Sequence, residues 1–369
     1  MNTYEQRLNR TLNAVKMEPV DKIPFSYSGP AYVSRWAGLT MQQYLNDFPA
    51  ATDATVKFLK AHPGIDSIHS PIFTTSALKI LWFSNVGEPG IDIDENDLWQ
   101  VLEAEVMKFE DYQAILDKGY ANWLHEFLVE RLGDPETTIV PFLQNSPVTI
   151  QRCAEEAQVP VMNGLSNGSP FEGFCGGRQL MNFFMDIVEE PELVKSALDA
   201  SFEHVRATYK AQLDMVKPLG AWVGGWRAAP ELLSHDTFME FVWPYLKEMI
   251  LMTIDAGTIP VLHFDSCWDT ELETLKELPA RKCILMLDGA TDIRLAREIL
   301  DDRMCLLGDV PSSMQAFGTA DECYNYGTKL IDDVGPKTGL IVSSGCDVPL
   351  NAKEENVQAI VQATIDYQV

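Results

Sequence analysis

Short apolar runs alternate with longer amphipathic segments along most of the chain. Each run is followed by a Gly, Pro or Asp break and then by apolar residues at helical spacing. This alternation is typical of βα units, which assemble into a parallel sheet. The candidate strands are residues 22–27, 65–70, 159–165, 221–224, 259–263, 283–287, 304–307 and 340–343.

The number of these units indicates the architecture. Eight strands, each followed by helix-like sequence, favour a closed (β/α)₈ TIM barrel over an open, doubly wound sheet. No G-x-G-x-x-G follows the first strand, which counts against a dinucleotide-binding fold. Residues 138–142 are an alternative strand that could replace one of the early ones. We therefore predict an α/β fold with a single barrel domain over residues 1–369.

Two segments lie outside the βα alternation. Residues 1–20 predict a helix that precedes the first strand. The apolar face of that helix would carry Tyr4, Leu8, Leu12 and Val15. Residues 80–118 contain a Gly-Glu-Pro-Gly turn, the acidic stretch 92–97 and the start of a helix near Phe109. We interpret this second segment as an insertion that covers one end of the barrel, because insertions there usually shape the mouth.

Composition and charge narrow the class of protein. The net charge of −26 disfavours nucleic acid and anionic membrane surfaces as partners. No uncharged apolar run reaches the roughly 18 residues of a membrane span, and the N-terminal residues are polar rather than signal-like. Seven scattered cysteines favour a reducing compartment over a disulfide framework. We therefore expect a cytoplasmic protein.

Candidate chemistry lies at the ends of the predicted strands, where a barrel has its active site. The fifth strand runs into His263, Asp265 and Cys267, and alternate residues of a strand share a face. Cys346 follows a glycine just after the last strand. Imidazole, thiolate and carboxylate together suit Zn²⁺ with one position left open. A lone His or Cys is more often a packed or hydrogen-bonded residue, so the spacing alone also allows a purely structural role.

Other strand ends add a possible lining for the site. Phe171 and Glu172 follow the third strand, Trp226 the fourth and Asp288 the sixth. Each is also an ordinary loop or packing position, and only their coincidence at one end of the barrel favours a functional role.

Several motifs in family order resemble the uroporphyrinogen decarboxylase superfamily over nearly the whole chain. They are Glu5-Gln6-Arg7 with Lys22-Ile23-Pro24, Asn163-Gly164 with Gly168 to Glu172, Phe241 to Tyr245, Gly308 to Pro311, and Asn351 with Glu355-Asn356. The resemblance implies a (β/α)₈ barrel. The Arg-Gln-Ala-Gly-Arg segment with which the decarboxylase grips substrate carboxylates is absent, and Gly29 to Arg35 stands there instead. A poly-anionic porphyrinogen is therefore a poor candidate substrate for this acidic chain.

The corrinoid-dependent methyltransferases form the other branch of this superfamily, and the chain is more similar to them. Their zinc motif is His-x-Cys with a distant Cys near the C-terminus. His263 matches the His and Cys346 the final Cys, whereas Asp265 occupies the position of the middle Cys. The resemblance implies a Zn²⁺ site of His263, Asp265 and Cys346, with Cys267 as the alternative to Asp265.

Residues 95–103 and 110–112 resemble the methyltransferases that demethylate methoxylated aromatics in anaerobic bacteria. The resemblance implies transfer of a methyl group from a small aryl methyl ether to the Co(I) of cobalamin carried by a separate corrinoid protein. The Asp-x-His-x-x-Gly pattern of a corrinoid-binding module is absent from this chain. In this interpretation Asp288 protonates the departing phenolate, a role that water can also fill, and Glu172 lines the site. The walls for an aromatic ring would be Tyr27, Phe171, Trp226 and Phe264.

Two other functions compete with this one. Transfer in the opposite sense would move a methyl group from methylcobalamin to a small thiol held on the same zinc, and the oxygen ligand Asp265 slightly disfavours it. A non-catalytic protein that binds corrinoid or metal is the alternative outside the enzymes.

Overall fold

The computed structural model describes residues 3–335 and 338–368. The strands in chain order are β1 Ser26–Tyr27, β2 Ser67–Ile68, β3 Asn85–Gly87, β4 Gln100–Leu102, β5 Asn163–Asn167, β6 Gly220–Gly225, β7 Ile259–Phe264, β8 Ile284–Leu287, β9 Cys305–Val310 and β10 Leu340–Ser344. Each predicted strand overlaps or directly adjoins one of these, so the strand positions are confirmed.

Helices fill most of the segments between the strands. They are α1 Tyr4–Val15, α2 Ala31–Ala37, α3 Met41–Asn46, α4 Phe48–Ala61, α5 Thr75–Trp82, α6 Asp111–Lys118, α7 Tyr120–Leu132, α8 Pro135–Thr138, α9 Val140–Arg152, α10 Pro170–Arg178, α11 Leu180–Glu189, α12 Pro191–Val216, α13 His235–Phe241, α14 Trp243–Asp255, α15 Ile293–Leu300, α16 Ser312–Phe317, α17 Ala320–Val334 and α18 Glu354–Asp366. Among the residues described, none of these helices combines the length and apolarity needed to cross a lipid bilayer.

The strands β5 to β10 form a six-stranded parallel sheet in the order β10-β9-β8-β7-β6-β5, and β1 pairs with β2 in a second parallel sheet. Parallel bridges join Phe25 to Val342 and Ile68 to Val161, so each edge of the larger sheet contacts the smaller one. An α/β fold with a six-stranded parallel sheet is therefore confirmed. The contacts at both edges are those that an eight-stranded barrel requires.

The burial of the strands reflects this arrangement. Every residue of β8 and β9 is buried, as expected for parallel strands with both faces covered. One face of β7 points toward the helices, because the Phe264 ring stacks on Trp268 with centroids 3.9 Å apart, and Trp268 packs in turn on Phe238 of α13 at 5.7 Å. On β1, Tyr27 packs on Phe58 of α4 at 4.7 Å. We call the opposite face of these strands the inner face.

The predicted N-terminal helix is present, but its buried side differs from the expected one. Tyr4, Leu8 and Leu12 are only partly buried, whereas Arg7 and Arg10 are 3% and 4% exposed. Both arginines reach protein oxygens: Arg10 pairs with Asp66, and Arg7 donates to the carbonyls of Ala157, Gln158 and Pro63. Apolar periodicity misses this because a buried arginine with partners at its tip can replace an apolar residue.

Two other expectations have different outcomes. The alternative strand at residues 138–142 is wrong, since α8 and α9 occupy that segment. The insertion at residues 80–118 is an antiparallel hairpin of β3 and β4 followed by α6, which begins at Asp111, near the predicted start. Glu103 of this insertion contacts Arg227, just beyond the C-terminal end of β6. The insertion therefore packs against the strand ends where the candidate site lies.

Candidate metal centre

Strand β7 places His263 on the inner face. Phe264 points to the helices, so the alternation of a strand directs the preceding His263 the other way. Trp222 of β6 shares this face, with its ring centroid 6.0 Å from that of His263. Strands β6 and β7 come close here because Gly224 lies beside His263 in register, where a Cβ would meet the His263 carbonyl oxygen at 2.1 Å.

His263, Asp265 and Cys346 form a compact group of potential metal ligands. One donor atom from each lies within 4.8 Å of the others. The His263 Nε2 atom is 3.2 Å from Asp265 Oδ1 and 4.0 Å from Cys346 Sγ. His263 is buried, Asp265 is partly exposed and Cys346 is exposed. The group is therefore accessible from the side on which Cys346 lies. Cys267, the alternative third ligand, does not belong to this group.

The turn after β7 directs Asp265 toward His263. Ser266 adopts a left-handed conformation with φ 70°, which reverses the chain before Cys267. Its amide donates to Asp288 Oδ2 at 3.0 Å, and the Ala290 amide donates to Asp288 Oδ1 at 2.8 Å. Asp288 thus joins the turns after β7 and β8, and both of its oxygens accept hydrogen bonds from the backbone.

The loop after β10 fixes Cys346 through its neighbours in the chain. Gly345 packs on Asp288, whose carbonyl oxygen would lie 2.6 Å from a Cβ at this position. Ser28 Oγ donates to Asp347 Oδ1 at 2.9 Å, and Ser312 Oγ donates to the Asp347 carbonyl at 3.0 Å. These contacts come from the segments after β1 and β9, on both sides of β10. These contacts therefore fix the position of the loop that carries the Cys346 thiol.

The electrostatics of this group favour a positive charge. Burial of His263 lowers its pKa, but the Asp265 carboxylate and the Cys346 thiol outweigh burial and hold the pKa well above its ordinary value. A divalent cation bound between these side chains would interact favourably with the same two groups, the Asp265 carboxylate and the Cys346 thiol. A nitrogen, an oxygen and a sulfur donor suit zinc, and three protein ligands are typical of a catalytic site with one open position. The donor set therefore fits a bound zinc ion.

The other predicted site residues lie in different surroundings. Glu172 is buried and accepts from the Arg227 and Ala228 amides at 3.2 and 2.9 Å. Trp226 is 36% exposed, with the Arg227 guanidinium 4.1 Å from its ring centroid. The rings of Tyr27, Phe171 and Phe264 are fully buried and pack on Phe58, Phe183 and Trp268, respectively. Their contact with a substrate stays a prediction.

Sequence reasoning missed two inner-face side chains. Trp222 lies two residues before Gly224 on β6, and the alternation that placed His263 inward would have indicated it. His69 directly follows β2, at the same end of the sheet as Asp265 and Cys346. It lies near the end of the predicted strand 65–70, and a polar side chain at that position is a sequence signal for the site.

The choice between Asp265 and Cys267 gives a direct prediction. Asp265→Ala is expected to lose bound zinc, because it removes one of three clustered donors. Cys267→Ser is expected to retain it, because that thiol lies outside the cluster. Metal analysis after dialysis against a weak chelator measures both variants, and the reverse pattern would assign the ligand role to Cys267.

A comparison with protein families decides the family of this chain. The family model described as uroporphyrinogen decarboxylase (URO-D) matches residues 129–367, more than half of the chain. The chain belongs to the URO-D family. The family-level resemblance seen in the sequence motifs is thereby confirmed.

Curated URO-D relatives match only part of the chain. The uroporphyrinogen decarboxylase of Chlorobium phaeovibrioides is 27% identical over 165 residues, which is 43% of this chain and 44% of that protein. That of Methylococcus capsulatus is 24% identical over 240 residues, 58% of this chain and 65% of that protein. The chain thus matches less than half the length of the first relative and just under two thirds of the second.

A solved structure matches the whole chain. A methyltransferase from Methanosarcina mazei superposes with a TM-score of 0.73, covering 100% of both chains at 17% sequence identity. At this identity the likeness establishes a shared fold.

Proposed function

We propose that this URO-D family member is a zinc-dependent methyltransferase built on a (β/α)₈ barrel. Its methyl donor is a small methoxylated aromatic compound, and its acceptor is the Co(I) of cobalamin on a separate corrinoid protein. The observation that carries the proposal is the cluster of His263, Asp265 and Cys346 at the C-terminal ends of β7 and β10. The full-length likeness to a methyltransferase supports it.

The ligand set suits an ether as the substrate. Zinc bound by His263, Asp265 and Cys346 would supply Lewis acidity to the oxygen that departs from the methyl group. A carboxylate is a harder ligand than a thiolate, in the sense of hard and soft acids and bases. A zinc site with one carboxylate therefore favours an oxygen substrate over a thiol more than a site with two thiolates does. Cys346 lies at the exposed side of the cluster, so a substrate can approach from that side.

The reaction balances without a further redox partner. The O–CH₃ bond breaks, and its electron pair stays on the aryl oxygen. The Co(I) lone pair forms the new Co–CH₃ bond, which leaves cobalt formally as Co(III). The aryl oxygen finally takes one proton to give a phenol.

The chain's own residues orient the substrate and supply protons in this scheme. Trp222 and the partly exposed Trp226 offer apolar surface to an aromatic ring. Asp288 as the proton donor stays a prediction. In this structure both of its carboxylate oxygens accept a backbone hydrogen bond, and water can supply the proton instead.

The proposed corrinoid partner gives a test of the whole scheme. The purified chain alone should be colourless, free of cobalt and inactive. Mixing it with a Co(I) corrinoid protein and a methoxyarene should produce methyl-Co(III), followed by its visible absorbance. Because the chain carries a net charge of −26, association with a partner of opposite charge should slow as salt is added.

Controls in the same assay separate the alternatives. Methylamines and methylthiols replace the methoxyarene in parallel reactions, and a methylcobalamin-plus-thiol reaction tests transfer in the opposite sense. Methylation of the thiol without any ether demethylation would replace the proposed direction. A corrinoid that copurifies tightly with the chain would contradict the separate-partner arrangement.

A further inference from the structure

His69 and Asn163 form a polar pair on the inner face. Neither residue belongs to the proposed set of zinc ligands. Ser26 and Ser67 pair in register while Tyr27 points to the helices, so Ser67 and His69 face inward. His69 follows β2, and Asn163 begins β5. Both residues are buried, with 4% and 6% exposure.

Asn163 fixes the orientation and the tautomer of His69. The Asn163 Nδ2 atom lies 3.3 Å from His69 Nδ1. An amide NH₂ can only donate, so Nδ1 is the accepting nitrogen and the ring proton is on Nε2. That N–H is buried and has no hydrogen-bond partner among the described residues.

An unpartnered buried N–H costs free energy and is rare in folded proteins. It is not isolated here, because Asn163 Oδ1, Ser343 Oγ and His263 Nδ1 are also buried without partners among the residues described. Ser343 is on the inner face as well, since its neighbour Val342 bridges to Phe25 on the other face. This set of polar atoms indicates that a polar ligand completes the interior.

The His69 ring is suited to donate a hydrogen bond without giving up its proton. Burial, with a smaller contribution from nearby His263, lowers the pKa of His69 to about 3. The ring is therefore neutral throughout the physiological pH range. A neutral imidazole N–H is a weak acid that can stabilise negative charge developing on an oxygen.

We propose that His69 is a catalytic residue whose Nε2–H donates a hydrogen bond to the aryl ether oxygen as the methyl group leaves. This role rests on the proposed function and specifies how the leaving oxygen is recognised. As the O–CH₃ bond breaks, the oxygen retains the bonding pair, and the hydrogen bond strengthens with its charge. The proton that finally converts phenolate to phenol comes from solvent, so His69 starts and ends the cycle neutral.

Two variants test the donor. His69→Leu removes it with a residue of similar size, whereas His69→Gln keeps a neutral N–H. In the corrinoid-coupled assay His69→Leu should lower kcat for an unactivated methoxyarene by about 10²–10³-fold, the usual loss for one such donor. His69→Gln should recover part of this loss. Far-UV circular dichroism and zinc content should match the wild type in both variants.

A leaving-group series separates catalysis from structure. Nitro-substituted aryl methyl ethers release a stabilised phenolate and need little help from a donor. His69→Leu should therefore affect them much less, and the dependence of log kcat on phenol pKa should become steeper. A purely structural role would lower the rates for all ethers by the same factor.

The affinity for phenol tests the proposed hydrogen bond from His69 without catalytic turnover. Phenol titrated calorimetrically into the zinc-free protein should bind His69→Leu about tenfold more weakly than wild type, as expected for the loss of one hydrogen bond. If wild type demethylates no ether, the proposed function fails, while this titration still tests His69. Unchanged phenol affinity together with equal loss on all ethers would overturn the role of His69.

Discussion

Cys346→Ala is expected to lose nearly all bound zinc and all measurable methyl transfer while the protein stays folded. The wild type should hold about one zinc ion per chain, as a three-ligand catalytic site does. Removing the only sulfur donor of the cluster leaves His263 and Asp265, which are too few to retain zinc against a chelator. The residue is exposed, so its truncation should not create a cavity in the core.

The measurement combines metal analysis with a spectroscopic probe. Co²⁺ substituted into the wild type should show a thiolate-to-cobalt charge-transfer band that Cys346→Ala lacks. Cys267→Ser is the matched control, because it removes a second thiol from the same end of the sheet outside the cluster, and it should keep the band. Full zinc content in Cys346→Ala would refute the assignment of this ligand.

Much of the fold follows from local patterns in the sequence. The strand β8 and the first half of β9, Cys305 to Leu307, are continuous apolar runs, because both faces of these strands are buried. Such runs are typical of the strands of a parallel sheet. Residues 138–142 look similar, yet they belong to helices, since a short apolar run does not distinguish a strand from a helix that packs on others.

The candidate site was predictable where strand alternation and family motifs coincide. His263 and Asp265 are separated by two positions, and the motif resemblance adds Cys346 from a distant strand. Trp222 and His69 obey the same alternation, but no motif pointed to them. The buried positions of Phe171 and Phe264 depend on their contacts with Phe183 and Trp268, which come from other segments and are not contained in the spacing of one strand.

The opposite end of the strands contains a charged cluster with a structural role. Asp66 is fully buried just before β2, and it pairs with Arg10 and with Lys22, whose Nζ lies 2.8 Å away. Its second oxygen also accepts from the Phe25 amide at 3.0 Å. The carboxylate thus joins helix α1, the segment before β1 and the start of β2.

Asp66→Ala is expected to destabilise the protein by about 3–5 kcal/mol, the usual cost of leaving buried charges without their partner. Arg10 and Lys22 would then face each other with only Asp21 to neutralise them. Asp21→Ala is the matched control, because its side chain is 70% exposed and such pairs contribute only about 0–1 kcal/mol. Urea unfolding followed by circular dichroism measures both variants.

Zinc content distinguishes this structural role from a catalytic one. Asp66 lies before β2, at the far end of the strands from His263 and Cys346, so folded Asp66→Ala should bind as much zinc as the wild type. A destabilisation below about 1 kcal/mol, in the range of exposed pairs, would mean that water or Asp21 compensates for the missing carboxylate. Loss of zinc from the folded variant would instead show that the two ends of the strands are coupled.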